Sequence, residues 1–177
     1  MSKNTNLSIM AEVALSASLA MCLSFLQIRF GWVDISLGQI VIILLGLRRG
    51  LKPALFGGLL WGGLHFLTGQ VYYLSFLQVF MEYILAFTFS GLGGLYQPVI
   101  KKNITKYAIL ASIVATFARF FWHFLAGVVF WSSYAPKGIN PVIYSLLVNG
   151  GSAVLTSLVA SLVLVIVLNK FPKLLQV

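Results

Sequence analysis

Six long hydrophobic runs alternate with short polar breaks along this chain. The breaks are rich in Gly, Pro, Lys or Arg, and the runs cover residues 7–28, 35–47, 53–68, 72–96, 104–131 and 141–169. At 1.5 Å per residue of helix, most runs can cross the ~30 Å hydrocarbon core of a bilayer. The pattern therefore predicts an all-α integral membrane protein, a bundle of six transmembrane helices. Because the breaks are so short, we expect residues 1–177 to form a single membrane domain.

The second run is too short to span a bilayer by itself. Its sequence ISLGQIVIILLGL gives only ~20 Å of helix. We therefore expect the preceding segment RFGWVD, 29–34, to dip into the bundle from outside, where protein or a watery cavity must cover its backbone. Trp32 and Asp34 then either line a pocket or lie at the membrane interface.

Small residues four apart mark two of the predicted helices. Gly58 and Gly62, in a helix that has Pro53 in its first turn, predict close packing against another helix. Ala14 and Ser18 form a similar stripe on the first helix. Spacing alone leaves two uses for this stripe, which are packing within the chain and contact with a partner protein.

Composition and charge support a membrane protein and set its orientation. Of the 177 residues, 60% are hydrophobic and 8% are charged, whereas about 25% are charged in soluble domains. With cytoplasmic N- and C-termini, only Arg29 and Lys137 lie outside, as the positive-inside rule requires. The basic residues then inside are Lys3, Arg48, Arg49, Lys52, Lys101, Lys102, Lys106, Lys170 and Lys173. The net charge of +9 thus suits an anionic leaflet, and we expect no nucleic-acid partner.

Two kinds of chemistry find no support in the sequence. Cys22 is the only cysteine, so neither a disulfide nor a cysteine-based metal site can form within the chain, and we expect no metal or cofactor. No GxxxxGK[ST] phosphate loop occurs, so we expect no ATPase site.

One acid and one base lie deep inside the predicted helices. Glu82 in the fourth and Arg119 in the fifth would each cost about 2.5–3.5 kcal/mol at mid-membrane, so each needs a partner or a function. They either pair with each other structurally or serve a ligand.

The fifth helix carries a polar and aromatic stripe. Arg119, His123, Gly127 and Trp131 recur every four residues and therefore share one helix face. We expect Gly127 to leave a notch between the imidazole and the indole. A flat molecule about 10 Å long could bridge these rings, with Glu82 as acceptor or counter-charge and Trp131 as a face for a cation.

Counting helical rises brings further residues to the same depth. Glu82 lies ~15 Å and His123 ~12 Å from the outer end, and Tyr144 and Asn149 lie within the first ~12 Å of the sixth helix. Tyr144 and Asn149 are about 140° apart on an ideal helix, so they share a pocket only if the helix bends or the ligand lies at its edge. His65, near the outer end of the third helix, is interpreted as interfacial.

Several sequence blocks together point to a known family. These are GW at 31–32, EY at 82–83, RFFWHFLAGVVFW at 119–131, SSYAPKG at 132–138 and YSLLVNG at 144–150. With them, the chain resembles the thiamine-specific substrate-binding components of energy-coupling factor (ECF) vitamin transporters. The similarity runs nearly end to end, from EVALSASLA to KFPKL at 170–174.

The resemblance implies a prokaryotic plasma-membrane protein that is not an enzyme. It would capture thiamine from outside and work with a transmembrane coupling protein and two cytoplasmic ATPases. By this resemblance the thiazolium ring stacks on Trp131. Glu82, His123 and Asn149 contact the polar edges of thiamine, and Arg119 lies beneath His123. The ligand-binding residues it implies are Trp32, Tyr72, Glu82, Tyr83, Arg119, His123, Gly127, Trp131, Tyr144 and Asn149.

The chain departs from the family pattern at two positions. Arg119 stands where the family has a lysine, which keeps the charge but presents a planar head with five donors. In the first helix, Ala14 and Ser18 stand where the family has an Ala-xxx-Ala contact for the coupling protein, and both are small enough to dock. The resemblance thus favours the partner interpretation of this stripe.

Three other functions remain open from the sequence. The first is a related binding subunit for another flat cationic vitamin or a precursor. The second is an intramembrane enzyme that uses His123 and Glu82 as acid and base, although no nucleophile or metal set accompanies them. The third is a stand-alone proton-coupled carrier in which Glu82 titrates.

Overall fold

The computed structural model describes residues 3–26 and 28–176, and side-chain surroundings from residue 6 onward. Gln27, at the end of the first predicted run, and the side chain of Lys3 lie outside this description. The described chain contains the six predicted helices. They are α1 Lys3–Ser24, α2 Gly38–Arg49, α3 Leu51–Leu67, α4 Phe76–Tyr96, α5 Ile104–Phe130 and α6 Pro141–Lys170.

Four of these helices are long and apolar enough to cross a membrane, namely α4, α5, α6 and the part Asn6–Ser24 of α1. The other two are shorter, with 12 residues in α2 and 17 in α3. The predicted short second helix is thus confirmed, and α3 is shorter than a full span as well. The side of the membrane on which the termini lie stays a prediction.

The segment before α2 folds as a β-hairpin rather than as irregular backbone. Strand β1 (Ile28–Phe30) pairs antiparallel with β2 (Val33–Ile35), and Gly31 turns between them with a φ of 62°. Two backbone N–H groups anchor the hairpin and the residues after it to α6, because Asp34 donates to Ser152 Oγ (3.0 Å) and Ser36 to Thr156 Oγ1 (3.1 Å). Apart from this small hairpin the described chain is helical, as the all-α prediction expects.

Glycines bring α3 against α4, as their spacing predicts. A Cβ atom on Gly58 would collide with the carbonyl oxygen of Phe87, and one on Gly62 with that of Tyr83. Only residues without a side chain permit this backbone approach. Pro53 lies in the first turn of α3, also as predicted.

The two ends of the bundle differ in chemistry. The hairpin, the α3–α4 connection and the α5–α6 connection form one end, which we call the hairpin end. At the opposite end, Glu12 of α1 forms ion pairs with Arg48 (2.9 Å) and with Arg49. Arg48 also donates to the carbonyl oxygens of Leu174 (2.6 Å) and Gln176 (2.7 Å). These contacts tie α1, the α2–α3 turn and the C-terminal residues together.

Candidate ligand-binding site

Two π-helical segments shape the helices that enter from the hairpin end. Phe80–Leu85 interrupts α4 and carries Glu82 and Tyr83, and Leu146–Gly150 interrupts α6 and carries Asn149. Backbone hydrogen bonds in such segments join residues five apart, and these segments occur frequently at functional sites. The wider turn brings Asn149 to the same side of α6 as Tyr144, and both line one cavity. On an ideal helix Tyr144 and Asn149 would point in different directions, and the π-helical turn removes this difference.

Three cavities open at the hairpin end, and His123 lines all of them. The largest holds about 690 Å³ and the other two about 260 Å³ each. All ten predicted ligand-binding residues line at least one of the three. The largest is lined by Trp32, Tyr72, Glu82, Tyr83, His123, Trp131 and Tyr144, the second by Gly127 and Asn149, and the third by Arg119.

Glu82 accepts hydrogen bonds from neutral donors. Its carboxylate takes one from Trp131 Nε1 (2.9 Å) and one from the amide of Gln78, whose side chain is completely buried. Within the described residues it forms no ion pair, so the alternative in which Glu82 pairs with Arg119 is wrong. The carboxylate thus lies at the edge of the Trp131 indole, beside the face on which a cation could stack.

Arg119 is held by the start of α2, by the residue Ser36 before it, and by aromatic rings. Its Nη1 donates to Ser36 Oγ (2.6 Å) and Gln39 Oε1 (3.4 Å). The guanidinium carbon lies 4.4 Å from the ring centre of Phe87 and 4.7 Å from that of Trp61. The Nε–H group is buried without a partner among the described atoms. A planar guanidinium suits this stacked position, which accounts for an arginine here.

Histidines from two helices face this region, and one of them was misassigned from sequence. His123 Nε2 is buried and has no described partner. His65, predicted to be interfacial, is also buried, with Nδ1 2.9 Å from the carbonyl oxygen of Trp61 and its ring 4.5 Å from Phe87. A usable signal existed, since His65 shares a helix face with the packing residues Gly58 and Gly62.

Aromatic rings cluster around Trp131, which lines the largest cavity. The indole of Trp131 lies 5.0 Å from the ring of Tyr72 and 5.1 Å from that of Tyr134, and the two tyrosine hydroxyls are 3.2 Å apart. Tyr134 was not predicted, because an aromatic residue in a loop has no periodic pattern. On the hairpin, Trp32 packs edge-on against Tyr144 at 5.5 Å.

The side chains of the hairpin line the cavity, and their place at a membrane interface stays a prediction. Trp32 and Asp34 line the largest cavity, as the pocket interpretation requires. Both are also more than half exposed, and the Asp34 carboxylate pairs with Arg29 at 2.8 Å. Glu82 is therefore the cavity carboxylate without a cation partner among the described residues.

Gly127 does not leave the open notch predicted from the stripe on α5. The space that a Cβ atom would fill is taken by Ser145 Oγ, and Asn149 Nδ2 lies 3.2 Å from it. Ser145 in turn donates to the carbonyl oxygen of Phe124 (2.8 Å). Gly127 thus allows α6 to approach α5 closely, and this contact places Asn149 beside the second cavity.

The fold and the cavities define a small helical membrane protein with a ligand cavity at one end of the bundle. Residues 10–176 match the model of the family described as thiamine transporter protein, and the chain belongs to this family. It is a family of transporters rather than enzymes. The resemblance recognised in the sequence motifs is thereby confirmed.

Individual relatives align with this chain along nearly their whole length. Thiamine transporter ThiT of Lacticaseibacillus paracasei is 38% identical over 98% of this chain and 93% of that protein. Thiamine transporter ThiT of Bacillus subtilis is 29% identical over 99% of this chain and 98% of that protein. The solved structure of ThiT from Listeria monocytogenes superposes with a TM-score of 0.92 at 39% identity, covering 97% of this chain and 98% of that one.

Proposed function

We propose that this chain binds thiamine in the cavities of the hairpin end and delivers it to an ATP-driven importer. One observation supports this choice of ligand. Glu82 is a carboxylate without a cation partner among the described residues. Its Oε1 accepts a hydrogen bond from the indole N–H of Trp131, and this indole lines a cavity with aromatic walls. A flat cation is the ligand that satisfies both groups, because the indole face and the carboxylate attract positive charge together.

The two rings of thiamine would find different surroundings. The thiazolium would stack on Trp131, with Glu82 as its counter-charge. The aminopyrimidine would lie deeper, where the buried nitrogen atoms of His123 and Arg119 lack described partners and can bond ring nitrogens. Asn149 would complete the polar edge, and the remaining predicted residues Trp32, Tyr72, Tyr83 and Tyr144 would enclose the rings.

A titration of the purified protein with thiamine tests this proposal. We expect saturable one-to-one binding, observed by tryptophan fluorescence and by calorimetry. Trp131→Ala should weaken binding by about 2 kcal/mol or more, roughly thirtyfold, because it removes the indole face.

Trp122→Ala is the matched control on the same helix. Trp122 packs against Phe89 and Phe121 and lines none of the three cavities. Its replacement should leave the affinity unchanged. Equal losses in the two variants would remove Trp131 from the site, and the absence of binding by the unaltered chain would overturn the ligand assignment.

The transport partners belong to this proposal too. Since the sequence contains no phosphate loop, energy would come from a transmembrane coupling protein and two cytoplasmic ATPases, in a prokaryotic plasma membrane with both termini cytoplasmic. The stripe of small residues on α1 supports docking of the coupling protein, because Ala14 and Ser18 are both exposed on the outside of the bundle. Packing within the chain therefore does not use this stripe.

A further inference from the structure

The three acidic side chains of the chain all have partners other than its largest group of lysines. Glu12 pairs with Arg48 and Arg49, and Asp34 pairs with Arg29. Glu82 lies in the cavity at the hairpin end, bonded to Trp131. No side-chain carboxylate therefore remains for a lysine at the opposite end.

Five exposed lysines gather at that opposite end. A 3-10 turn, Ile100–Lys102, leads into α5, and another, Pro172–Leu175, follows α6. Asn169 Nδ2 donates to Thr105 Oγ1 (3.3 Å), which places the last turn of α6 beside the first turn of α5. We call this group the lysine patch; it consists of Lys101, Lys102, Lys106, Lys170 and Lys173.

The core fixes the turns that carry the patch. Ile100 and Leu175 are both buried in one hydrophobic cluster with Leu164 and Leu168 of α6. The lysines next to these anchors are thereby held at one surface, and Lys106 lies about 25 Å along α5 from the cavity residue His123.

The surroundings of the patch match a membrane interface. The ammonium of Lys106 lies 5.6 Å from the ring centre of Tyr107, and that of Lys170 lies 5.8 Å from that of Phe171. Phe171 is exposed, and the apolar side chain of Ile109 continues the exposed surface along α5. Aromatic rings and lysines together above an apolar surface are typical of the headgroup region.

We propose that the lysine patch binds the phosphate headgroups of anionic phospholipids. Five ammonium groups without a side-chain carboxylate partner among the described residues need counter-charge, and the apolar surface beside them needs acyl chains. An acidic protein surface would supply only the charge, and so would free phosphate. An anionic lipid supplies both, and each lysine close to an anionic membrane surface contributes roughly fivefold in affinity.

Native mass spectrometry of the full chain in mild detergent tests this proposal. The protein is mixed with phosphatidylglycerol and phosphatidylcholine of the same chain length. We expect preferential retention of phosphatidylglycerol that falls as salt rises. Replacement of all five patch lysines by Gln should reduce its retention at least tenfold and leave phosphatidylcholine unchanged.

A matched pair of double variants separates position from net charge. Lys102→Gln with Lys106→Gln removes two patch charges, whereas Arg29→Gln with Lys137→Gln removes two exposed charges at the hairpin end. Only the first pair should lower phosphatidylglycerol retention. Thiamine titration of the same samples reports an intact cavity, and a chain that selects the anionic lipid without binding thiamine would overturn the proposed ligand alone.

Three results would overturn the lipid assignment. The first is equal retention of the two lipids by the unaltered chain. The second is full displacement of phosphatidylglycerol by millimolar inorganic phosphate, which would assign the patch to free anions. The third is a five-lysine variant that keeps its lipid preference but loses uptake with partner proteins, which would assign the patch to a protein contact.

Discussion

At the scale of single residues, Arg119 and Glu82, the base and the acid of the membrane region, differ in the partners that surround them. Arg119 donates to oxygens of Ser36 and Gln39, stacks against aromatic rings, and has no carboxylate partner among the described residues. Among the described residues, Glu82 accepts hydrogen bonds only from Trp131 and Gln78. A partly buried carboxylate without a cation is costly, so a cationic ligand would gain more from Glu82 than any neutral molecule could.

Glu82→Gln should therefore weaken thiamine binding by about 2 kcal/mol, roughly thirtyfold. An analogue whose thiazolium is replaced by a neutral ring should lose no more than about threefold, because the amide keeps the shape and a hydrogen-bond acceptor for Trp131. Calorimetric titration of both ligands against the variant measures the difference. Asp34→Asn is the control, since that carboxylate lines the cavity but is already paired with Arg29; equal losses for the two ligands in Glu82→Gln would make Glu82 structural.

At the scale of secondary structure, hydropathy predicted where helices lie but not their internal geometry. The run 104–131 agrees with α5 and the run 141–169 with α6 to within a residue at each end, because the hydrocarbon thickness sets the length of an apolar run. Hydropathy does not distinguish hydrogen bonds four residues apart from those five apart. The π-helical segment that reorients Asn149 and the hairpin that carries Trp32 were therefore beyond prediction.

The approach of α3 to α4 depends on glycine, and neighbouring glycines test it. Gly62→Ala would force its new methyl group against the carbonyl oxygen of Tyr83, whereas Gly63→Ala meets no atom within 4 Å. Separation of the helices should cost about 2 kcal/mol and lower the apparent Tm by about 4–8 °C. Gly63→Ala should leave the Tm unchanged or raise it, because alanine favours helix.

Thermal unfolding of both variants, with and without thiamine, measures this difference. Because Tyr83 belongs to the proposed site, Gly62→Ala should also weaken thiamine binding while Gly63→Ala does not. Similar behaviour of the two variants would contradict the close approach.

At the scale of the whole molecule, the proposed ligand site and the proposed docking surface lie on different parts of the chain. The cavities and their polar groups lie at the hairpin end, while the small stripe of α1 and the lysine patch lie on other surfaces. The motifs at the cavity were recognisable in the sequence because their residues are rare in membrane helices. The outward direction of Ala14 and Ser18 was not predictable, since small residues four apart suit a contact inside the bundle equally well.

This separation predicts a variant that binds its ligand but does not transport it. Ser18→Trp places a bulky ring on the exposed stripe of α1, and Val154→Trp places the same ring on an exposed face of α6. Thiamine affinity should stay within about twofold in both, because neither residue lines a cavity. Uptake into ATP-loaded vesicles that also contain the coupling protein and the ATPases should fall more than tenfold for Ser18→Trp only, because a partner backbone can no longer approach α1. Unimpaired uptake would remove the stripe from the partner contact, and uptake by the chain alone under a proton gradient would favour a stand-alone carrier in which Glu82 titrates.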